Sequence, residues 1–157
     1  MTLSTNLDTR TIEIDGVRIS YVESGEDREV PLLLLHGGGP GSGGVSNYIR
    51  NIGPLSERLG RVIVPDMPGF GSSENKIEPG GGLMGRYADV TLGLMDALGI
   101  AQADIVGNSM GGGQALSIAL RFPERVRRMV LMGPGGMLPM FTPFPTEGTR
   151  RMATFYA

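Results

Sequence analysis

The stretch Ala103-Asp104-Ile105-Val106-Gly107-Asn108-Ser109-Met110-Gly111-Gly112 decides the reading of this chain. Its opening residues give a short strand signal, and residues 110–121 carry apolar side chains at helical spacing (Ala115, Leu116, Ile118, Ala119). Between them Gly107-Asn108-Ser109-Met110-Gly111 fits G-x-S-x-G. In a strand–turn–helix setting the glycines stand where side chains would collide in the bend, and Ser109 is held at its tip as a candidate nucleophile. The bare pattern is weak in a chain with 26 glycines among 157 residues, so the strand before it and the helix after it carry the argument. The competing reading is a glycine-rich turn whose serine merely caps the helix.

The same apolar character recurs on both sides of this stretch. Pro31-Leu32-Leu33-Leu34-Leu35, Val62-Ile63-Val64 and Met129-Val130-Leu131-Met132 are continuous apolar runs, as expected of strands covered on both faces. Segments 46–59 and 84–98 have helical spacing. Strands alternating with helices predict an α/β fold with a mostly parallel sheet and right-handed crossovers. Ahead of it, Thr11–Ile14 and Val17–Val22 largely alternate apolar and polar around Asp15-Gly16, which predicts an N-terminal antiparallel hairpin. The core is expected over 1–134. Residues 135–157 are apolar, proline-rich and without period, and read as a separate segment.

A second glycine loop, His36-Gly37-Gly38-Gly39-Pro40-Gly41, follows the Leu32–Leu35 run. It matches the H-G-G-G type of loop that offers a backbone N–H to a developing oxyanion, beside the N–H of the residue after the nucleophile. The amides of Gly38 and Met110 are the candidate donors. A loop kept flexible by glycine is the plainer reading. A phosphate loop is disfavoured because its lysine and Ser/Thr are absent. A dinucleotide fingerprint is met formally by Gly39-Pro40-Gly41-Ser42-Gly43-Gly44 with Asp66 as the ribose acid, but Gly80-Gly81-Gly82-Leu83-Met84-Gly85 fits as well with no strand ahead. By composition, Asp66-Met67-Pro68-Gly69-Phe70-Gly71 is a turn, with Asp66 structural. His36, the only imidazole, stands where it would brace the oxyanion loop rather than act as a base. After Ser109 the chain holds no Asp and no His, and its only acids are Glu124 and Glu147. The acid and base of a Ser…Asp/Glu…His triad are therefore missing from it.

Composition narrows the remaining classes. Fourteen basic residues against 16 acidic leave a net charge of −2 without a basic run, so neither nucleic acid nor an anionic membrane is an expected partner. Zero cysteines and one histidine exclude disulfides, thiolate chemistry and His-based metal clusters, so no metal is expected. With no apolar run of membrane-spanning length and a polar start, the expected address is the cytoplasm.

The elbow, the His36 loop and the Asp66–Gly71 turn together resemble the α/β-hydrolase superfamily. More narrowly, His36–Gly41 with Ser46-Asn47-Tyr48 and Arg50-Asn51, Gly107–Gly112, and Leu131-Met132-Gly133-Pro134-Gly135-Gly136 with Phe144-Pro145-Thr146-Glu147-Gly148 resemble the meta-cleavage product hydrolases, bacterial C–C bond hydrolases of aromatic and steroid catabolism. The resemblance implies a 2-hydroxy-6-oxo-dienoate substrate, cleaved by water into a 2-hydroxydienoate and a carboxylic acid, with no cofactor. It assigns Ser109 as nucleophile or activator of water, Gly38 and Met110 as oxyanion amides, and Gly39, Asn47 and Asn108 as contacts to substrate. It also implies that 157 residues are the N-terminal half of such an enzyme, inactive alone, with 135–157 opening a lid. A homo-oligomer is left open. The alternatives are a carboxylesterase or proline iminopeptidase-like hydrolase and, in another class, a non-catalytic binding half-domain.

Overall fold

In a computed structural model, residues 7–76 and 82–135 are described. Strands β1 (Thr9–Ile14) and β2 (Val17–Ser24) form the expected hairpin. Its turn residues Asp15 and Gly16 both have positive φ, 50° and 74°, the type I′ geometry whose twist matches the flanking strands. The chain continues through β3 (Leu32–Leu35), α1 (Gly44–Tyr48), α2 (Ile52–Leu59), β4 (Val62–Pro65), α3 (Leu83–Ala97), β5 (Ala103–Asn108), α4 (Met110–Arg121), a 3-10 turn at Pro123–Arg125 and β6 (Val126–Met132).

The six strands form one sheet in the order β1-β2-β4-β3-β5-β6. β1 and β2 pair antiparallel, β2 pairs antiparallel with β4, and β4, β3, β5 and β6 are parallel neighbours. This is the predicted α/β architecture. Leu33 and Leu35 enter one core with Ile63, Ile105 and the inner faces of α3 and α4, whereas Leu32 and Leu34 enter the other with Val62, Val64, Tyr48 and Ile52. The period-two alternation of a strand thus divides one run of leucines between two cores.

Two expectations need correction. The single helix read over 46–59 is two helices, α1 and α2, with Ile49-Arg50-Asn51 between them. Proline has no N–H and its ring clashes with the preceding turn, so Pro54 is accommodated only in the first turn of a new helix. The run Met129–Met132 is not covered on both faces: β6 is an edge strand among the described residues, and Met129, Val130 and Met132 are exposed. Of the segment 135–157, all but Gly135 lies outside the described residues, as do Gly80 and Gly81 of the second glycine fingerprint.

The topology fixes where a site can form. The connection leaving β3 leads to β4 on one side, and that leaving β5 leads through α4 to β6 on the other. Between the carboxyl ends of β3 and β5 the winding reverses, which opens a crevice at the position where ligands bind in open α/β sheets. The loops opening there are His36–Gly39 and Asn108–Met110.

Candidate active site

Ser109 sits at the tip of β5 with φ 49° and ψ −108°. Apart from the hairpin residue Asp15, it is the only described non-glycine residue with positive φ. Such a conformation costs about 1–3 kcal/mol and persists only when its surroundings impose it. Here they do: the Ser109 amide donates to Met132 O at 2.9 Å, and its carbonyl accepts from the amides of Gly113 (3.1 Å) and Gly135 (2.7 Å). Glycine at 111 permits the close approach this requires, since a Cβ there would lie 2.2 Å from the Leu35 carbonyl oxygen. In its place the Gly111 amide donates to His36 O at 3.0 Å. The Ser109 side chain makes no capping hydrogen bond to α4, so the helix-cap reading of this serine has no counterpart in the geometry.

The two glycine-bearing loops meet at this point. A Cβ on Gly37 would lie 3.5 Å from Ser109 Cβ, and one on Gly38 would lie 3.3 Å from Met110 Sδ. Among the described residues, neither the Gly38 amide nor the Met110 amide donates a hydrogen bond. Met110 also opens α4, a 12-residue helix whose N-terminal end carries partial positive charge. Two unspent N–H donors and a helix N-terminus beside an exposed hydroxyl can stabilise an oxyanion.

Asn47 and Asn108, 61 residues apart in sequence, meet here: Asn108 Nδ2 donates to Asn47 Oδ1 at 3.1 Å, and the Gly37 amide donates to the same oxygen at 3.0 Å. Asn47 comes from α1, a helix only five residues long whose N-terminal turn is held by Asp66. Asp66 Oδ1 accepts from the Gly44 amide at 2.7 Å and Oδ2 from the Ser72 amide at 2.9 Å. Both oxygens therefore bind this chain's own backbone, as the structural reading of Asp66 requires and the ribose reading does not. Beneath the strand tips the buried Tyr48 hydroxyl donates to Leu35 O at 2.9 Å. Burial pushes its pKa up to about 12.

His36 is fully buried. The Met67 amide can only donate, and it donates to His36 Nε2 at 3.0 Å. The proton of the neutral ring is therefore on Nδ1, which donates to Gly37 O at 2.9 Å. Burial lowers the His36 pKa below its usual value, against smaller raising contributions from the Gly37 carbonyl and the Asp66 charge. A neutral imidazole with both nitrogens engaged has no position from which to deprotonate Ser109. Phe70 packs edge-on against it, with ring centroids 5.1 Å apart.

The sequence profile of the alpha/beta hydrolase fold matches residues 30–155. The chain belongs to the α/β-hydrolase fold family. This α/β-hydrolase is 50% identical over 147 residues to the 2-hydroxy-6-oxo-6-phenylhexa-2,4-dienoate hydrolase of Comamonas testosteroni, an alignment covering 92% of this chain and 50% of that protein. Its fold superposes on a serine hydrolase from the polyaromatic hydrocarbon-degrading bacterium Cycloclasticus zankles with a TM-score of 0.84 and 38% identity, over 96% of this chain and 52% of the other. A 2-hydroxy-6-oxo-6-phenylhexa-2,4-dienoate hydrolase from Rhodococcus gives a TM-score of 0.81 at 35% identity, over 96% and 53%. The chain thus spans about half the length of the curated relatives it matches.

Sequence reasoning did not find a third group of residues around this α/β-hydrolase site. Met67, Tyr87 and Met110 are buried together, with Phe70, Met84 and Val90 packed against them. Thr91 and Gln114 are fully buried polar residues beside Met67. One signal was available: Gln114 interrupts the stripe of Gly111, Ala115 and Ile118 on the inner face of α4. Among the described residues no group of His, Cys, Asp or Glu could hold a metal ion, and no helix is long and apolar enough to cross a membrane.

Proposed function

We propose that the protein carrying this chain is a serine-dependent hydrolase of 2-hydroxy-6-oxo-dienoates, the ring-fission products of catechols. The observation that carries the reading is the strained Ser109 elbow beside the amides of Gly38 and Met110, which donate to no acceptor among the described residues. In this reading the keto carbonyl next to the scissile C–C bond sits over Ser109, which attacks it or activates water against it. Negative charge developing on the carbonyl oxygen is stabilised by the two amides and by the N-terminus of α4. The C–C bond then breaks, the dienoate fragment taking a proton on the carbon released, and water supplies the OH of the acyl fragment, directly or by hydrolysing its ester to Ser109, leaving a 2-hydroxydienoate and a carboxylic acid.

Gly39 is assigned as a further contact to substrate, and the polar end of the dienoate is assigned to Asn47 and Asn108. Their bond to each other uses one N–H of Asn108, and each amide has two, so the pair keeps donors for substrate. His36 is assigned to bracing the oxyanion loop, because both its nitrogens are spent on Gly37 and Met67. The base that activates Ser109 is then supplied from outside residues 1–157. The close relatives named for dienoate hydrolysis support the substrate class.

The test follows loss of the dienoate's visible absorbance in the protein carrying this chain. Ser109→Ala is expected to lower kcat by orders of magnitude with little change in substrate binding, since the hydroxyl acts in the chemical step. Wild-type protein that leaves the dienoate intact while hydrolysing simple esters would replace this reading with an esterase.

A further inference from the structure

Between the site and the core runs a chain of hydrogen bonds that begins and ends at the two oxyanion loops. The Gly37 carbonyl accepts from His36 Nδ1 at 2.9 Å, and His36 Nε2 accepts from the Met67 amide at 3.0 Å. The Met67 sulfur accepts from Gln114 Nε2 at 3.1 Å. Gln114 lies on α4, one turn beyond Met110, so the chain closes through the helix onto the second oxyanion amide. The two N–H of Gln114 Nε2 are shared among the Met67 sulfur, Tyr87 O at 2.8 Å and Thr91 Oγ1. His36, Met67, Thr91 and Gln114 are each 0% exposed.

This arrangement is costly for a residue that only fills space. A buried amide must satisfy its polar atoms, and Gln114 Oε1 has no partner among the described residues. An apolar side chain of the same volume would pack against Met67, Met110 and Ile118 without that penalty. The Nε2 group is where the return lies, because it carries a hydrogen bond from α4 to Met67, the residue whose amide fixes the His36 ring.

We infer that Gln114 is a positioning residue that, through Met67 and His36, sets the spacing between the Gly38 and Met110 amides. The inference rests on the hydrolase reading for its catalytic consequence but not for its structural one. If Gln114 holds Met67, removing its N–H groups frees the Met67 amide from His36 Nε2. The imidazole then exchanges between tautomers, and the Gly37–Gly38 loop loses its brace. A misplacement of about 1 Å at a donor costs on the order of a hundredfold in rate.

The experiment uses the full protein carrying this chain, with Gln114→Met, which keeps the volume and removes the donors, and Met67→Leu, which removes the sulfur acceptor. The first readout is the pair of His36 imidazole nitrogen signals in NMR, assigned by their loss in His36→Asn. Wild type is expected to show one fixed Nδ1–H tautomer. Each single variant is expected to move both signals toward the averaged position, and the double variant to move them no further, since the two changes break the same link. The second readout is turnover, with kcat expected to fall about ten- to a hundredfold and KM little changed. His36 signals unmoved in a folded Gln114→Met protein, or single-variant shifts that add in the double, overturn the inference. If Gln114→Met fails to fold, Met67→Leu alone decides by the same signals. Absence of dienoate turnover in wild type would count against the proposed reaction and leave the tautomer readout to judge Gln114.

Discussion

Asn47 Oδ1 lies 3.1 Å from Asn108 Nδ2 and accepts the Gly37 amide at 3.0 Å, so one side-chain oxygen joins the loop after β3 to the tip of β5. The two asparagines are therefore unequal. Asn47→Ala strips the partner from a backbone donor on a buried glycine, which costs about 1–3 kcal/mol, whereas Asn108→Ala leaves the Gly37 bond intact. Urea unfolding should show a lower midpoint for Asn47→Ala than for Asn108→Ala, with Asn47→Asp closer to wild type because it keeps the acceptor. In turnover assays both alanine variants should lose more activity on the dienoate than on p-nitrophenyl acetate, which has no polar end for them to hold. Equal midpoints would remove Asn47 from its linking place.

Ser109 supplies a second test through the sign of a stability difference. At an ordinary exposed position, glycine is no more stable than alanine, because it loses more chain entropy on folding. At φ 49° and ψ −108° the order should reverse, since alanine keeps the backbone strain and glycine releases it. Ser109→Gly is expected to unfold at a higher denaturant concentration than Ser109→Ala by about 1 kcal/mol, with both variants inactive. An alanine variant more stable than the glycine variant would mean that the elbow is not strained.

The burial of His36 gives the protein an acid-sensitive site. Its folded pKa is depressed below 6.5, chiefly by desolvation. The stabilisation that accompanies a neutral buried imidazole is therefore complete above the unfolded value and is lost as pH falls below it toward the folded pKa. Protonation would also place a hydrogen on Nε2 and break the bond from the Met67 amide. Urea midpoints measured from pH 8 down to pH 5 should fall on the acid side, and the fall should flatten in His36→Gln. An unchanged slope in that variant would assign the acid sensitivity to other groups.

The sheet and the serine elbow were legible in the sequence because each depends on neighbours in the chain. A strand covered on both faces must be apolar throughout, as Leu32–Leu35 and Val62–Val64 are, and a strand-to-helix bend needs glycine at fixed offsets from Ser109. The break between α1 and α2 was also local, written in Pro54, but apolar spacing that continued across it concealed it. The exposure of β6 depends on which strand lies beyond it, and nothing within Met129–Met132 encodes that. The Asn47–Asn108 bond and the Gln114–Met67–His36 chain join residues 61, 47 and 31 positions apart, so no short-range pattern reports them. Only the anomaly of a glutamine in an apolar stripe pointed toward the second of these.

Expressed alone, residues 1–157 should be inert and prone to association, for two independent reasons. The serine hydroxyl is a weak nucleophile until a base takes its proton, and the only imidazole in the chain is neutral, buried and bonded through both nitrogens away from Ser109. Placement of the oxyanion amides does not compensate for the missing base. The second reason is the sheet edge. β6 pairs only with β5 among the described residues and exposes Met129 (38%), Val130 (58%) and Met132 (42%), and an apolar strand with unpaired backbone groups is a template for pairing with another chain. Size-exclusion chromatography should show association that rises with concentration, and Val130→Lys, a charge on that edge, should reduce it without restoring turnover. Dienoate and ester hydrolysis should match the Ser109→Ala background in both proteins. A monomeric chain with Ser109-dependent activity would overturn both arguments, because it would require a base other than the one imidazole, whose two nitrogens are bonded to Gly37 and Met67.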